Sequence, residues 1–268
     1  MAISLNTSFG SSSAISGQSS PNASFQKLAS GSKINSAADD AAGLAIAEKL
    51  TSKLGGFDMA IRNASDSISA IQVADGALQS LNDNVARIQE LTLQAGNGAL
   101  NSQDRQALQA EADQLIDESN LLLENTNFNG KSLLNNDEGL SVQLGEPGKN
   151  IQLEGKNLAK EFKELGFGDI DLTSQSAANK SLETLSQASE LVISRQSELG
   201  AVSNRVENSI DNISSSRINS AEARSRISDA DFAKIASDLA ASQVRDQAQI
   251  AVQAQANGHR SAVLQLLS

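Results

Sequence analysis

The sequence contains no cysteine, tryptophan or tyrosine, and it has only 2 prolines and 7 phenylalanines in 268 residues. The lack of Cys excludes disulfide bonds, thiolate zinc sites and cysteine nucleophiles. Because aromatic rings are scarce, the apolar 39% of the chain is almost all Ala, Leu, Ile and Val. These residues suit slender helix packing better than a thick globular core. The composition therefore predicts helical bundles.

Positive charge is also scarce, since the chain has 21 Lys and Arg but 32 Asp and Glu, and its formal net charge is −11. Nucleic acids and anionic membrane surfaces need a basic patch, so neither is an expected partner. No stretch approaches the roughly 20 apolar residues of a membrane span. Residues 1–20 lack Lys, Arg and an apolar run of the length of a secretory signal, which argues against the general secretory route.

Few residues have side chains suited to catalysis or to binding a metal or phosphate. Asp39 and Asp40 are adjacent carboxylates without a partner group, so we expect them to lie near a helix N-terminus, where negative charge is favoured. His259 is the only histidine, which excludes a His-rich metal cluster and predicts a surface residue. Gly55 and Gly56 predict a helix break, because no Gly-Lys-Ser pattern accompanies them as in a phosphate loop. We expect no catalytic, metal-binding or cofactor-binding residue.

Apolar residues spaced three and four apart predict long helices. One seam runs from Ile71 to Ala95 and stops at the Gly-Asn-Gly run at 96–98, and Ser102 is the predicted N-cap of the next helix. Another helix is predicted from about 174 to 226. Its apolar positions recur every seven residues, at Leu185, Val192, Leu199, Val206 and Ile213.

Between the helices the apolar period changes to two. Alternation at 141–144 and 150–153, around a Gly- and Pro-containing turn, predicts a small β-hairpin near 140–154, with loops in the remainder of 130–173. The predicted fold is mainly α: a long antiparallel coiled-coil helical bundle rod with a small central β-hairpin. It would bury the long seams between neighbouring helices.

A further seam after Ser228 is predicted to run to Asn257 and to precede an apolar tail. Seams at both chain ends must find partners, and a weak amphipathic pair at the end of a rod is a ready surface for self-association. We therefore predict a polymerisation surface near the C-terminus. Its residues are Phe232, Ile235, Leu239, Val244, Ala251, Val263, Leu264, Leu266 and Leu267.

Several runs of the sequence resemble bacterial flagellins, and they fall in that family's order. The N-terminal half contains GSKINSAADDAAGLAIA at 31–47, RNASD at 62–66, QVADGAL at 72–78 and NFNG at 127–130. The C-terminal half contains LGAVSNRV at 199–206, SRISDAD at 225–231 and QAN at 255–257. An ordered set of matches at both ends is far more specific than one short motif.

The resemblance implies a structural subunit that polymerises into the extracellular bacterial flagellar filament for motility, after export through the flagellar type III apparatus. It implies that 1–43 and 228–268 form the inner-tube domain, with the export signal in the first, and that 44–227 form the rod. Implied partners are further copies of the chain, an export chaperone, the filament cap and hook-junction proteins. Only about 131–173 is available for outer domains, so a short form is expected.

Flagellins resembling this chain present an Arg, a Leu and a Glu to Toll-like receptor 5, and the matching residues here are Arg87, Leu91 and Glu111. The alternative is that Arg87 and Glu111 are ordinary exposed charges and that Leu91 belongs to the helix seam. The resemblance makes these three residues the predicted receptor site.

Three other functions fit parts of the pattern. A hook-filament junction protein resembles flagellin at both ends without forming the bulk polymer. A secreted enzyme on a helical scaffold would need a catalytic insert, which the short central segment argues against. An intracellular coiled-coil scaffold would need no export.

Overall fold

The computed structural model describes residues 21–144 and 150–267, and it packs as two compact units. The central unit is Leu54–Ile218, and the terminal unit combines Met1–Lys53 with Asn219–Ser268. The helices are α1 Pro21–Ser30, α2 Ala41–Ala95, α3 Ser102–Asn125, α4 Leu158–Glu164, α5 Gln175–Ser228 and α6 Phe232–Leu267. The prediction of a mainly α fold is confirmed.

The central unit is an antiparallel bundle of α3 with the parts of α2 and α5 that belong to this unit. The Gln89 side chain on α2 donates a hydrogen bond of 3.1 Å to the Leu185 carbonyl on α5, whereas Ala64 on α2 clusters with Val206. Later residues of α2 thus meet earlier residues of α5. The predicted seams form the core. Their buried members include Leu78, Leu81, Val85, Ile88, Leu185, Val192 and Leu199, all at most 1% exposed.

Two predicted helix ends need correction. Gly55 and Gly56 do not break a helix, because α2 continues through both. A helical glycine costs only about 1 kcal/mol, and burial of Phe57 and Ala60 follows within the next turn. The N-cap of α3 is Asn101 rather than Ser102, since its side chain accepts hydrogen bonds from the next turn in a capping box.

The predicted β-hairpin is present. Strand β3, Leu140–Gln143, pairs with β4, Asn150–Leu153, in antiparallel register that sets Val142 opposite Ile151. Both side chains are buried against the cluster of Ala64 and Val206. The hairpin is therefore fastened to the helical bundle by its apolar face.

The region predicted as loops contains further elements. A two-residue hairpin pairs β1, Asn127–Phe128, with β2, Lys131–Ser132; Asn129 and Gly130 make its turn with φ of 50° and 79°, the left-handed conformation that an Asn-Gly turn favours. Helix α4 and a 3-10 turn add a buried aromatic pair, Phe162 and Phe167, whose ring centroids lie 4.8 Å apart.

Among the described residues, no helix is both long enough and apolar enough to cross a bilayer.

The continuity of α2 leads to a prediction for Gly56. No atom lies within 4 Å of a Cβ placed there, so Gly56→Ala should stabilise the central unit by about 0.4–1 kcal/mol, because Ala loses less backbone entropy on entering a helix. Denaturant unfolding followed by circular dichroism measures this. Gly130→Ala is the control: its φ of +79° should make the same substitution destabilising. A loss of stability in Gly56→Ala would contradict an uninterrupted helix.

Candidate assembly surface

Large apolar side chains lie exposed along α6 in the terminal unit. Phe232 is 61% exposed, Val244 65%, Ile250 70% and Val252 65%. Single exposed apolar residues are common on any protein. Helix α2 also exposes four, but α6 differs in that none of its described side chains, at 232–259, is fully buried, whereas Leu185 on α5 is.

The exposed residues occupy more than one face of α6. Helix α1 packs against α6, and on α6 Ile235 and Leu239 are half-buried. At about 100° per residue, Val244 lies roughly opposite that half-buried pair, while Ile250 lies beside it. A helix with apolar groups on several faces is typical of a buried element. Residues 23–53 and 219–259 of the terminal unit, whose burial the structure describes, do not enclose this helix.

The structure places all nine predicted polymerisation residues on α6. Ala251 is exposed like Phe232 and Val244. The helix also continues through Gly258 to Leu267 instead of ending near Asn257. The side chains of Val263, Leu264, Leu266 and Leu267 lie outside the described residues, as do residues 1–20 of the segment 1–43 that is predicted to hold the export signal. Their role in assembly stays a prediction.

A short backbone clasp joins the two chain segments of the terminal unit. The Lys33 amide donates to the Ser228 carbonyl at 2.7 Å, and the Ala230 amide donates to the Gly31 carbonyl at 3.0 Å. These bonds flank an antiparallel bridge between Ser32 and Asp229. The clasp therefore holds the segment before α2 against the turn between α5 and α6.

The carboxylates predicted near a helix N-terminus are found there. Asp40 precedes α2, and its carboxylate accepts a hydrogen bond of 2.8 Å from the Gly43 amide. The Asp39 carboxylate accepts hydrogen bonds from the Asn35 amide at 3.1 Å and the Ser36 amide at 3.0 Å. These bonds, the one from Asn35 first, lower the pKa of Asp39 below its ordinary 3.8. Both carboxylates fix the turn that begins α2.

Gly43 lies where a side chain would not fit. A Cβ there would be 2.5 Å from the Asp40 Oδ2 and 2.7 Å from the Cδ1 of Ile34. Ile34 is 7% exposed, so it has little room to move. A side chain here would therefore have to displace the ends of both side chains, and the limited room around Ile34 opposes this.

His259 is exposed on α6, as predicted for a surface histidine. Within the described ranges, 21–144 and 150–267, no group of three His, Asp or Glu side chains is arranged to hold a metal ion.

The predicted receptor residues separate in the structure. Arg87 is exposed, and it donates hydrogen bonds to Glu111 at 2.8 and 3.0 Å and to Glu90 at 2.9 Å. These pairings, Glu111 first, raise the pKa of Arg87. Leu91 is only 1% exposed and belongs to the core. The seam between the helices buries Leu91, whereas Arg87 and Glu111 form a surface pair; recognition by Toll-like receptor 5 through these three residues stays a prediction.

These features define a class of protein: a helical structural subunit. It has a folded central bundle and a terminal helix, α6, whose apolar residues stay exposed. Comparison with known proteins supports this class. Residues 4–138 match the family model of the bacterial flagellin N-terminal helical region, and 182–267 match the bacterial flagellin C-terminal helical region.

Individual relatives match nearly the whole chain. A flagellin of Halalkalibacterium halodurans is 36% identical over 245 residues, which cover 91% of this chain and 90% of that protein. A flagellin of Bacillus subtilis is 37% identical over 287 residues, covering 94% of both. The crystal structure of Bacillus cereus flagellin is 28% identical, with a TM-score of 0.52 over 57% of this chain and 88% of that one.

This chain belongs to the bacterial flagellin family. It is a structural subunit of the flagellar filament and not an enzyme, because the family is one of filament proteins. The hook-filament junction alternative is not favoured, since relatives that match nine-tenths of the chain are flagellins.

The lowered pKa of Asp39 leads to a pH prediction. A carboxyl whose pKa is depressed by folding contributes stability that is complete above its unfolded pKa and is lost as the pH falls through its folded pKa. The stabilisation of the 35–39 turn should therefore be constant above about pH 5 and should disappear below pH 3.8. An NMR titration of the Ser36 amide in the monomer measures this. Asp39→Asn should remove the transition; a Ser36 shift that titrates equally in both proteins would contradict the assignment.

The close contacts at Gly43 predict that Gly43→Ala destabilises the start of α2. The added methyl must displace Ile34 or the Asp40 cap, and strain of this kind costs about 1–3 kcal/mol. Hydrogen exchange of the amides at 43–47 should become about 5- to 140-fold faster, because each 1.4 kcal/mol of local opening is a factor of ten. Gly56→Ala on the same helix is the matched control. Equal protection in both variants would show that the turn tolerates a side chain.

Proposed function

We propose that this flagellin polymerises through the apolar surface of its terminal unit, centred on α6. The observation that carries the proposal is the exposure of Phe232, Val244, Ile250 and Val252 on more than one face of that helix. Burying one such side chain fully contributes about 1.5–3 kcal/mol. Association that covers several of them can offset the entropy cost of immobilising a subunit.

The partner that fits this surface is a second copy of the chain. A helix with apolar groups on several faces needs several neighbours, and a helical array supplies them because each copy presents the same surface. A lipid surface fits less well. Interfacial helices concentrate Lys and Arg on a polar face, whereas α6 mixes Lys234 and Arg245 with Asp238 and Asp246.

The proposed division into inner tube and rod resembles the two units, but its boundaries lie about ten residues nearer the chain ends than those of the units. The central unit encloses its own apolar core, so its fold does not depend on neighbouring subunits. The terminal segments 1–43 and 228–268 would supply the inner tube of the filament, and 44–227 the rod around it. This assignment rests on family membership and on the contrast between the buried central seam and the exposed α6.

The remaining proposals rest on family membership. The chain would be exported through the flagellar type III apparatus, with an N-terminal signal, to an extracellular filament. An export chaperone, the filament cap and hook-junction proteins would bind it in turn. Recognition by Toll-like receptor 5 is proposed for Arg87 and Glu111 without direct contact from the buried Leu91.

Substitution of Val244 tests the assembly surface. Val244→Asp should raise the critical concentration for polymerisation about tenfold or more, because a buried charge replaces an apolar contact worth about 1.5–3 kcal/mol. Val244→Leu is the matched control, since it keeps the position apolar and should assemble as the parent does. Sedimentation and electron microscopy of the purified full-length chain give the readout.

Circular dichroism should show the same monomer helicity in both variants, because Val244 is 65% exposed. If Val244→Asp and Phe232→Asp both assembled with an unchanged critical concentration, α6 would not be the interface. Deletion of 228–268 should abolish filaments while leaving the central unit folded.

A further inference from the structure

One buried arginine in the central unit has a side-chain nitrogen without a hydrogen-bond acceptor. Arg195 on α5 is 2% exposed; one of its terminal nitrogens donates to Glu198 and the other to the Glu154 carbonyl, each at 3.1 Å. Its Nε is buried without a partner. An unsatisfied buried donor costs about 1–3 kcal/mol, so an acceptor beside Nε would stabilise the fold.

A small cavity adjoins this arginine. Its volume, measured as the space open to the centre of a water-sized sphere, is about 20 Å³, and on that measure one water needs about 10–15 Å³. The cavity is lined by Lys131, Ser132, Leu133, Asn136, Gly139, Gly155 and Arg195. A Cβ at Gly155 would collide with the backbone of Asp137 and Gly139. The backbone wall is therefore closely packed, and the space suits a particle of roughly one atom.

The polar lining consists mainly of hydrogen-bond donors. The Ser132 hydroxyl oxygen already accepts a bond of 3.2 Å from the Asn135 amide, which leaves its proton to donate. The Asn136 side-chain oxygen accepts one of 2.7 Å from the Glu138 amide, which leaves its NH₂ group. Lys131 and the Arg195 Nε can only donate. A ligand that only accepts hydrogen bonds fits this lining best.

Three cations and three carboxylates lie around the cavity. Lys156 pairs with Glu198, and Arg195 bonds the same carboxylate. Partial burial acts to raise the pKa of Glu198, but the hydrogen bonds from Lys156 and Arg195 outweigh it and lower that pKa. One carboxylate therefore faces two cations, and Lys131 in the lining adds a third. Asp137 and Glu138 lie next to the lining residues in sequence; they and Lys131 are exposed, so water screens all three charges, and Arg195 is the buried cation of the lining.

We propose that this cavity binds one small monovalent anion of the halide class, held between Arg195 on α5 and Lys131 on β2. The anion accepts hydrogen bonds from the Arg195 Nε, the Ser132 hydroxyl and the Asn136 side-chain amide, so it links the segment 131–139 to α5. It acts as a structural ligand of the central unit, independent of polymerisation.

The test uses chloride as the probe and the full-length monomer as the protein. The protein should broaden the ³⁵Cl NMR line of chloride, and this excess line width should reach a plateau as the site fills. It should fall on addition of bromide, which competes for the same site. Sodium gluconate keeps the ionic strength constant, because gluconate is too large for the cavity. When NaCl replaces it and chloride reaches about tenfold its Kd, the Tm of the central unit should rise by about 3 °C.

Arg195 is so deeply packed that its substitution risks unfolding the chain, so the deciding variant is Lys131→Gln. It should at least halve both the excess line width and the chloride-dependent Tm rise. Lys160→Gln is the control: Lys160 is an exposed lysine paired with Glu164 that does not line the cavity, and it should behave as the parent. General salt effects act equally on all three proteins.

Equal chloride responses in Lys131→Gln and the parent would overturn the proposal, as would the absence of excess ³⁵Cl broadening in the parent. The cavity would then hold a single water molecule.

Discussion

Burial of the apolar seams between α2, α3 and α5 is the constraint on which the rest of the central unit depends. Isolated helices are held weakly by their own hydrogen bonds, and packing of an amphipathic face supplies most of their stability. Leu81 and Val192 are fully buried in this interface. Once the seams fix which residues of α2 and α5 face each other, the hairpin of β3 and β4 has one site to cover, at Ala64 and Val206.

The same constraint decides which surface residues are available to partners. Arg87 and Leu91 are one helical turn apart, yet the seam takes the leucine into the core and leaves the arginine outside. The terminal unit differs because α6 has apolar residues on more faces than α1 can cover. The apolar seams are covered in the central unit, whereas α6 keeps exposed apolar residues, and this difference distinguishes the folded core from the proposed assembly surface.

Much of this could be predicted from the sequence, because a seven-residue apolar period and a two-residue period are both local patterns. The helix end at Ala95 followed from the Gly-Asn-Gly run at 96–98. The break at Gly55 was predicted wrongly, since the cost of a helical glycine is small beside the packing on either side of it. Helix α4, with Phe162, was missed because seven residues are too few to show a period.

Contacts between distant parts of the chain could not be predicted in this way. The clasp between Ser32 and Asp229 joins backbone groups, which carry no sequence pattern. The cavity at Arg195 is assembled from β2, the turn at 136–139, Gly155 and α5, and only their packing creates it. Gly43 was visible within a run resembling flagellins, but its reason, the close approach of Ile34, needed the structure.

Helix α6 comes last in the chain, after every residue of the central unit. A polypeptide cut short before Phe232 would therefore retain the whole of 54–218 and lack all of α6. Such a fragment could fold its bundle yet could not present the surface proposed for assembly. The order of elements thus makes the proposed assembly surface depend on synthesis through α6, which follows the whole of the central unit.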